Sequence, residues 1–332
     1  MIKGRELTRR RLAALAGTAA AAMAVSSLPA GAQENWPQRQ VIIVVPFTAG
    51  GTTDMFGRIF AQAMQAKYGQ PFIVENKAGA GGTVGAASVA QAPKDGYTLL
   101  VGTASTHAIA PYVYKRLSYN AETDFQPISL FAQLPNLLVV SPKMPVKTFP
   151  EFVAYLKANS GKLSYGSSGV GASNHLPAEM IANLTGTKMA HVPYRSSGDI
   201  MTAIAGGHID LAFDNMTLAW PQAEAGTVRA IAVTSKDRSP TAPDVPAIAE
   251  TIPGFDVATW HGLFAPAGVP RAIVDRIAAD VKAIYSTPDV QAKLKAVGAV
   301  AAPNTPDAFT MFSAAERNKY RDIVKASGIE PQ

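Results

Sequence analysis

No cysteine occurs anywhere in the 332 residues. Disulfides, thiolate nucleophiles and cysteine-based metal sites are therefore excluded, as is a lipid anchor on an amino-terminal cysteine. Charge is sparse: Asp, Glu, Lys and Arg make up 16% of the chain against 48% hydrophobic residues, a globular composition. Histidine is rare too, at positions 107, 175, 191, 208 and 261, with no HxxxH pair. His175 and Glu179 share a helix face, and one such pair without further ligands reads as a surface contact before it reads as a metal site. Nucleotide motifs are missing. Gly79-Ala80-Gly81-Gly82-Thr83-Val84-Gly85 has Val84 where a dinucleotide fingerprint needs its third glycine, and no glycine loop continues into GK[ST]. In Gly166-Ser167-Ser168-Gly169-Val170, Val170 stands where a nucleophile elbow needs glycine.

The amino terminus has the layout of an export leader over residues 1–32. Basic residues (Lys3, Arg5, Arg9, Arg10, Arg11) precede an alanine-rich apolar run from Leu12 to about Leu28, and Ala30-Gly31-Ala32 is a small-x-small cleavage pattern. Cleavage after Ala32 is expected, by the general secretory route or by the twin-arginine route that Arg9-Arg10-Arg11 suggests. This segment holds five of the 30 basic residues and one of the 24 acids, so the remainder is close to neutral, about +2 instead of +6. No nucleic-acid surface is expected from such a balance. Past residue 32 no run approaches 18 apolar residues, so a soluble mature protein is expected, and a cysteine-free exported protein suits a Gram-negative periplasm.

Strand, Gly/Ser loop and helix then alternate. Val41–Val45 is a β-branched run of the kind buried in parallel sheets. Phe47 to Asp54 forms a loop before a helix with apolar residues at Phe56, Ile59, Phe60, Ala63 and Met64, stopped by Gly69. Strands over 72–74 and 97–101 complete a βαβαβ opening, and hence a parallel sheet with right-handed crossovers. Extended segments at 128–132 and 137–140 have no helix between them and suggest a crossing into a second domain. Thr148 to Glu151 is a capping box. Strands over 163–165, 191–194, 211–214 and 230–233 rebuild the theme, and 255–264 is extended again before an amphipathic helix over 270–285. Thr287-Pro288 and Thr305-Pro306 open two further helices, and this helical tail is expected to cover the first domain's sheet. The expected organisation is a leader at 1–32, one α/β domain from 33–136 plus 258–332, and a second at 137–257.

Two loops, Phe47–Asp54 and Ser167–Ser173, each join a strand to a helix, are rich in glycine and hydroxyls, and contain no Lys or Arg. Helix starts present partnerless N–H groups at the positive end of the dipole, and glycine allows a ligand to approach the backbone. One such loop per domain would hold an anion without a cationic side chain; ordinary turn chemistry explains the same composition. Asp214, Tyr194 and Trp260 lie near strand ends, where α/β proteins place ligand contacts. Asp214 equally suits a helix N-cap, and the two aromatics equally suit a core. Ser167 or Ser168 near His175 is a weak nucleophile–base candidate with no acid beside it.

Several segments, in order, carry a resemblance. They are Pro46 to Asp54, Glu75 to Gly82, Pro93 to Leu100, Val192-Pro193-Tyr194, Gly206 to Asp210, Phe213-Asp214-Asn215 and Phe264 to Gly268. Together they resemble the substrate-binding receptors of tripartite tricarboxylate transporters, the Bug family. The resemblance implies a type II periplasmic binding-protein fold: two α/β domains joined by two crossover strands, with a ligand cleft between. It implies a non-enzymatic, monomeric receptor that uses no cofactor, captures a small organic carboxylate and delivers it to a two-component membrane permease. Ligands of the family include di- and tricarboxylates, acidic amino acids and aromatic acids. A sensor for a membrane histidine kinase is the alternative, and a small-ester hydrolase a third. The contacts it implies fall on Phe47, Thr48, Ala49 and Gly50 on one side, Ser167, Ser168, Gly171 and Ser173 on the other, and Asp214. Thr52, Asp54, Ser105, His175 and Tyr194 complete the candidate set. Val170 and Ala172 depart from the Asn and Thr or Ser that many relatives carry, removing two side-chain donors.

Overall fold

The computed structural model describes residues 35–331, so the leader expected over 1–32 lies outside the described residues. The chain divides into two units, 1–38 and 39–332. Of the first, residues 35–38 are described and form neither helix nor strand. In the second the order begins β1 (Val41–Val45), α1 (Thr52–Tyr68), β2 (Phe72–Asn76), α2 (Thr83–Ala90) and β3 (Thr98–Thr103). A π-turn at Ser105–Ile109 leads to α3 (Ala110–Val113) and the long β4 (Phe125–Val140). Then come α4 (Phe149–Ala158), β5 (Ser164–Ser167), α5 (Leu176–Thr185), β6 (Ala190–Pro193), α6 (Ser197–Gly206), β7 (Leu211–Asn215), α7 (Met216–Glu224) and β8 (Arg229–Val233). The chain returns through β9 (Ala258–Pro266), α8 (Arg271–Tyr285), α9 (Pro288–Ala296), β10 (Val300–Ala301) and α10 (Pro306–Ala326).

The strands line up as β2-β1-β3-β9-β4-β7-β5-β6, with β8 and β10 also paired to β4. β1 pairs parallel with β2 and β3, and β5 pairs parallel with β6 and β7. The parallel opening expected from the β-branched run is thus present, and Val41, Ile43, Val44 and Val45 are fully buried. Gly69, at φ 67°, ends α1 in the left-handed conformation that glycine adopts without strain. The capping box at Thr148 and Glu151 is formed.

One expectation needs correcting. The extended segments at 128–132 and 137–140 are a single strand of 16 residues. Pro127 and Pro135 lie within this strand, although proline cannot donate to a ladder. Pro127 sits at a register shift against β9, where a missing N–H is tolerated. Pro135 lies where β4 changes partners: Phe125 to Pro135 face β9, whereas Asn136 to Val140 face β7. The helices α6 and α7 are additional findings; α7 contains Pro221 and buries only Met216, Thr217 and Ala219 near its start, so little periodic signal marks it.

The tail packs as expected. Tyr285 of α8 stacks on Phe131 of β4 at 4.6 Å and donates its hydroxyl to the Phe56 carbonyl at 2.9 Å. Phe309 of α10 tilts against Phe264 at 4.8 Å. That contact depends on Gly262 in β9, where an added Cβ would lie 2.3 Å from the Phe309 ring and 3.1 Å from the Ser129 carbonyl. Overpacking of this kind costs about 1–3 kcal/mol. Gly262→Ala is accordingly expected to lower the urea midpoint by that amount of stability; an unchanged midpoint would show that α10 is free to shift.

Candidate functional site

Five strand-to-helix junctions meet around one cavity. The β1–α1 junction contributes Phe47, Thr48, Gly51, Thr52 and Thr53, and the turn after β3 contributes Ser105 beside Thr103. From the other half of the sheet come Ser168, Ala172, Ser173 and Asn174 after β5, Arg195, Ser196 and Ser197 after β6, and Asn215 after β7. Thr259 and His261 of β9 complete the lining. The lining thus has ten hydroxyl side chains, two amides, one formal charge on Arg195 and no carboxylate. Burial holds His261 near a pKa of about 3, so its ring is neutral at physiological pH. Helices α1 and α7 begin without a side-chain cap, which leaves first-turn N–H groups and the positive dipole end facing this space. The Thr259 hydroxyl is buried and has no hydrogen-bond partner among the described residues. The cavity measures about 40 Å3, room for a few waters. A solute of several carbons must therefore part the walls to enter.

Local networks set the loops. Asp54, buried in the first turn of α1, accepts from Gly50 N at 2.9 Å, Arg58 at 2.8 Å and Asn76 at 3.0 Å. Burial opposes its charge, but those hydrogen bonds outweigh it and the carboxyl stays below its usual range. Asn174 folds the β5–α5 loop by bonding both the N–H and the hydroxyl of Ser168, at 3.0 and 3.1 Å. Four hydrogen bonds cross the cleft. Ser173 N reaches the Ser105 hydroxyl at 2.9 Å, Tyr114 donates to the Val170 carbonyl at 2.7 Å, Thr52 meets Thr217 at 2.5 Å, and Thr48 donates to the Arg195 carbonyl at 3.4 Å. Val170, which lacks the expected side-chain donor, takes part through its backbone.

Of the candidate residues, Phe47, Thr48, Thr52, Ser105, Ser168 and Ser173 line the cavity. Thr52 and Asp54 belong to the first turn of α1 and not to the loop before it. Ala49, Gly50, Asp54, Ser167, Gly171, His175, Tyr194 and Asp214 are outside the lining. Gly50 and Gly171, at φ 79° and 78°, shape their turns, and it is Gly51 that meets the cavity. Tyr194 packs with the apolar cluster of Ile200 and Ile209. His175 is buried against Tyr165 and His191, and burial, followed by the neighbouring His191, lowers its pKa to about 3. The base beside Ser167 is His191, at 2.6 Å, rather than His175. Ser167 is fully buried and lies outside the cavity lining. Asp214 does not cap α7, whose N-cap is Asn215; it sits behind the lining, accepting from Ser197 at 2.9 Å and Asn215 N at 2.7 Å. Arg195, Ser196, Ser197 and Asn215 escaped the sequence reading, although Tyr194-Arg195-Ser196-Ser197-Gly198 repeats the strand–serine–helix pattern. The expectation of a site without a cationic side chain is corrected by Arg195.

The model of the family described as "Tripartite tricarboxylate transporter family receptor" matches residues 56–329. The chain belongs to this family. A relative from Pseudomonas sp. strain P51, "UPF0065 protein in tcbD-tcbE intergenic region", is 37% identical over 95% of this chain and 94% of its own. Among solved structures, R. palustris Rpa4515 with adipate superposes with a TM-score of 0.87 at 36% identity, covering 90% of this chain and all of that one. The periplasmic binding protein BugD gives 0.85 at 36%, with 90% and 100% covered. MatC from Rhodopseudomonas palustris with bound malate gives 0.83 at 33%, with 87% and 100% covered. The receptor therefore has the periplasmic binding-protein fold, a mixed α/β architecture on a curled sheet, and the family function is solute binding.

Asp214 gives the receptor a titratable feature. Burial raises its pKa to about 6, partly offset by hydrogen bonds from Asn215 N, Ser197 and Asn174. A carboxyl whose folded value exceeds its unfolded one stabilises the fold when protonated, and that contribution disappears as pH rises from about 4 through 6. The Asp214→Asn variant should consequently gain on the wild type in melting temperature as pH rises from 4 to 7. A pH-independent difference between the two melting curves would contradict the buried charge.

Proposed function

We propose that this receptor captures a small organic carboxylate, a di- or tricarboxylate in the first instance, in the cavity between its two lobes and passes it to a two-component membrane permease. The carrying observation is the lining: hydroxyls, amides and uncapped helix starts surround a space that holds no carboxylate. Such a surface stabilises negative charge through dipoles and hydrogen bonds, and it would leave a cation unpaired. The adipate and malate of two similar receptors support the reading. The permease partner rests on the family description. The lobes we assign are 33–136 plus 258–332 and 137–257, supported by the change of partner along β4 between Pro135 and Asn136 and by the start of β9 at Ala258. We place the mature protein in the periplasm, with the leader removed after Ala32.

A ligand that binds only the native state stabilises it by mass action, by about 2.7 kcal/mol at a hundredfold excess over Kd, and so raises the melting temperature. Adipate, malate and citrate are the first compounds to screen by thermal shift, beside amines and neutral sugars. An acid should shift the melt and be recovered unchanged. A shift by sugars or amines alone, or steady conversion of the acid, would defeat the proposal. Closure also has a specific test. Tyr114→Phe removes one neutral hydrogen bond across the cleft, worth about 1 kcal/mol. Ligand release measured by stopped flow should speed up about fivefold with the ligand-free melt unchanged; unaltered release would mean that this contact does not hold the closed form.

A further inference from the structure

We propose that Arg195 is the specificity-determining residue of the cavity, selecting solutes that carry a second acidic group remote from the β1–α1 and β5–α5 loops. The inference rests on the carboxylate reading above and deepens it by naming the residue that reads the second acidic end. Arg195 is the one formally charged side chain of the lining. Its guanidinium makes no hydrogen bond or ion pair with any described residue, whereas Arg58, Arg238 and Arg271 are each committed to a carboxylate. Its backbone, by contrast, is fixed. The preceding Tyr194 N–H donates to the Ser167 carbonyl at 2.8 Å, and the Arg195 carbonyl accepts from Thr48 at 3.4 Å. On its other side the Ser196 hydroxyl caps α6 by accepting from Asp199 N at 3.1 Å. An immobile base with an uncommitted head is suited to receive an anion that arrives with the solute.

The neighbours sharpen the assignment. Ser197 spends its only hydroxyl hydrogen on Asp214, so towards the cavity it offers lone pairs and repels a carboxylate. At this wall Ser196 and Asn215 can donate neutral hydrogen bonds, and Arg195 is the one donor that carries charge; its planar fork matches a carboxylate in two parallel hydrogen bonds. A solute with one acidic end satisfies the uncapped helix starts and leaves Arg195 to water. A diacid of the right length satisfies both, and closing the lobes around it removes the water that would screen the pair.

The test is isothermal titration of the wild type, Arg195→Gln and Arg195→Lys with succinate, glutarate and adipate, each beside its monomethyl ester. The ester keeps the length and removes one charge. The wild type should prefer at least one diacid over its half-ester by about tenfold or more, the range of a charge-assisted hydrogen bond. Arg195→Gln should bring that ratio close to one, and Arg195→Lys should retain part of it. Because the side chain is exposed, ligand-free melting temperatures should be unchanged, which separates the effect from misfolding. A ratio in Arg195→Gln equal to that of the wild type, or no preference in the wild type, would overturn the assignment while the carboxylate reading stands. Failure of every acid and half-ester to bind the wild type would overturn both.

Discussion

A helix that starts where a strand ends leaves its first N–H groups without intrahelical partners, and this receptor gathers several such starts at one place. α1 and α7 have no side-chain cap, and α6 begins beside them with Arg195, Ser196 and Ser197 turned to the same space. Had each start been capped by an acidic residue, the cavity would be ringed with negative charge and would exclude a carboxylate. Instead the acids stand one layer back. Asp54 ties Gly50, Arg58 and Asn76 together beneath one junction, and Asp214 ties Ser197 and Asn215 together beneath another. They set the shape of the loops and leave the dipoles to face the cavity.

The sheet makes that convergence possible. β4 serves β9 with one half and β7 with the other, so the carboxyl ends of β1 and β3 and those of β5, β6 and β7 border one gap. The hydrogen bonds that cross it are the four from Tyr114 to Val170, Thr52 to Thr217, Ser173 to Ser105 and Thr48 to Arg195. Each is worth about 1 kcal/mol net, so closure without solute is weakly held. A bound solute that contributes its own hydrogen bonds would shift that balance towards closure.

Legibility in the sequence followed the strength of the local signal. The buried β1, the amphipathic α1 and α8, and the capping box at Thr148 all carry periodic or positional signals, and each formed where expected. β4 was harder because Pro127 and Pro135 interrupt it, and only the pairing with β9 and β7 shows why both are tolerated. Within the site, the loops holding Phe47, Thr48, Ser168 and Ser173 announced themselves by glycine and hydroxyl content. Thr259 and His261 did not, since they are polar residues inside the buried strand β9, and Arg195 and Asn215 did not, since neither follows its strand in a glycine-rich loop.

Sequence alone determined that the chain is cysteine-free, that strands and helices alternate, and that certain strand–helix loops carry donors. These are properties of composition and of neighbours within a few residues. The tertiary structure decided which junctions share a cavity, that Asp54, His175 and Asp214 stand behind its wall, and that an uncommitted arginine lies in it. Those outcomes depend on strands brought side by side from positions more than 100 residues apart, such as Leu100 against Phe264. Spacing along the chain does not encode such a distance until the sheet has formed.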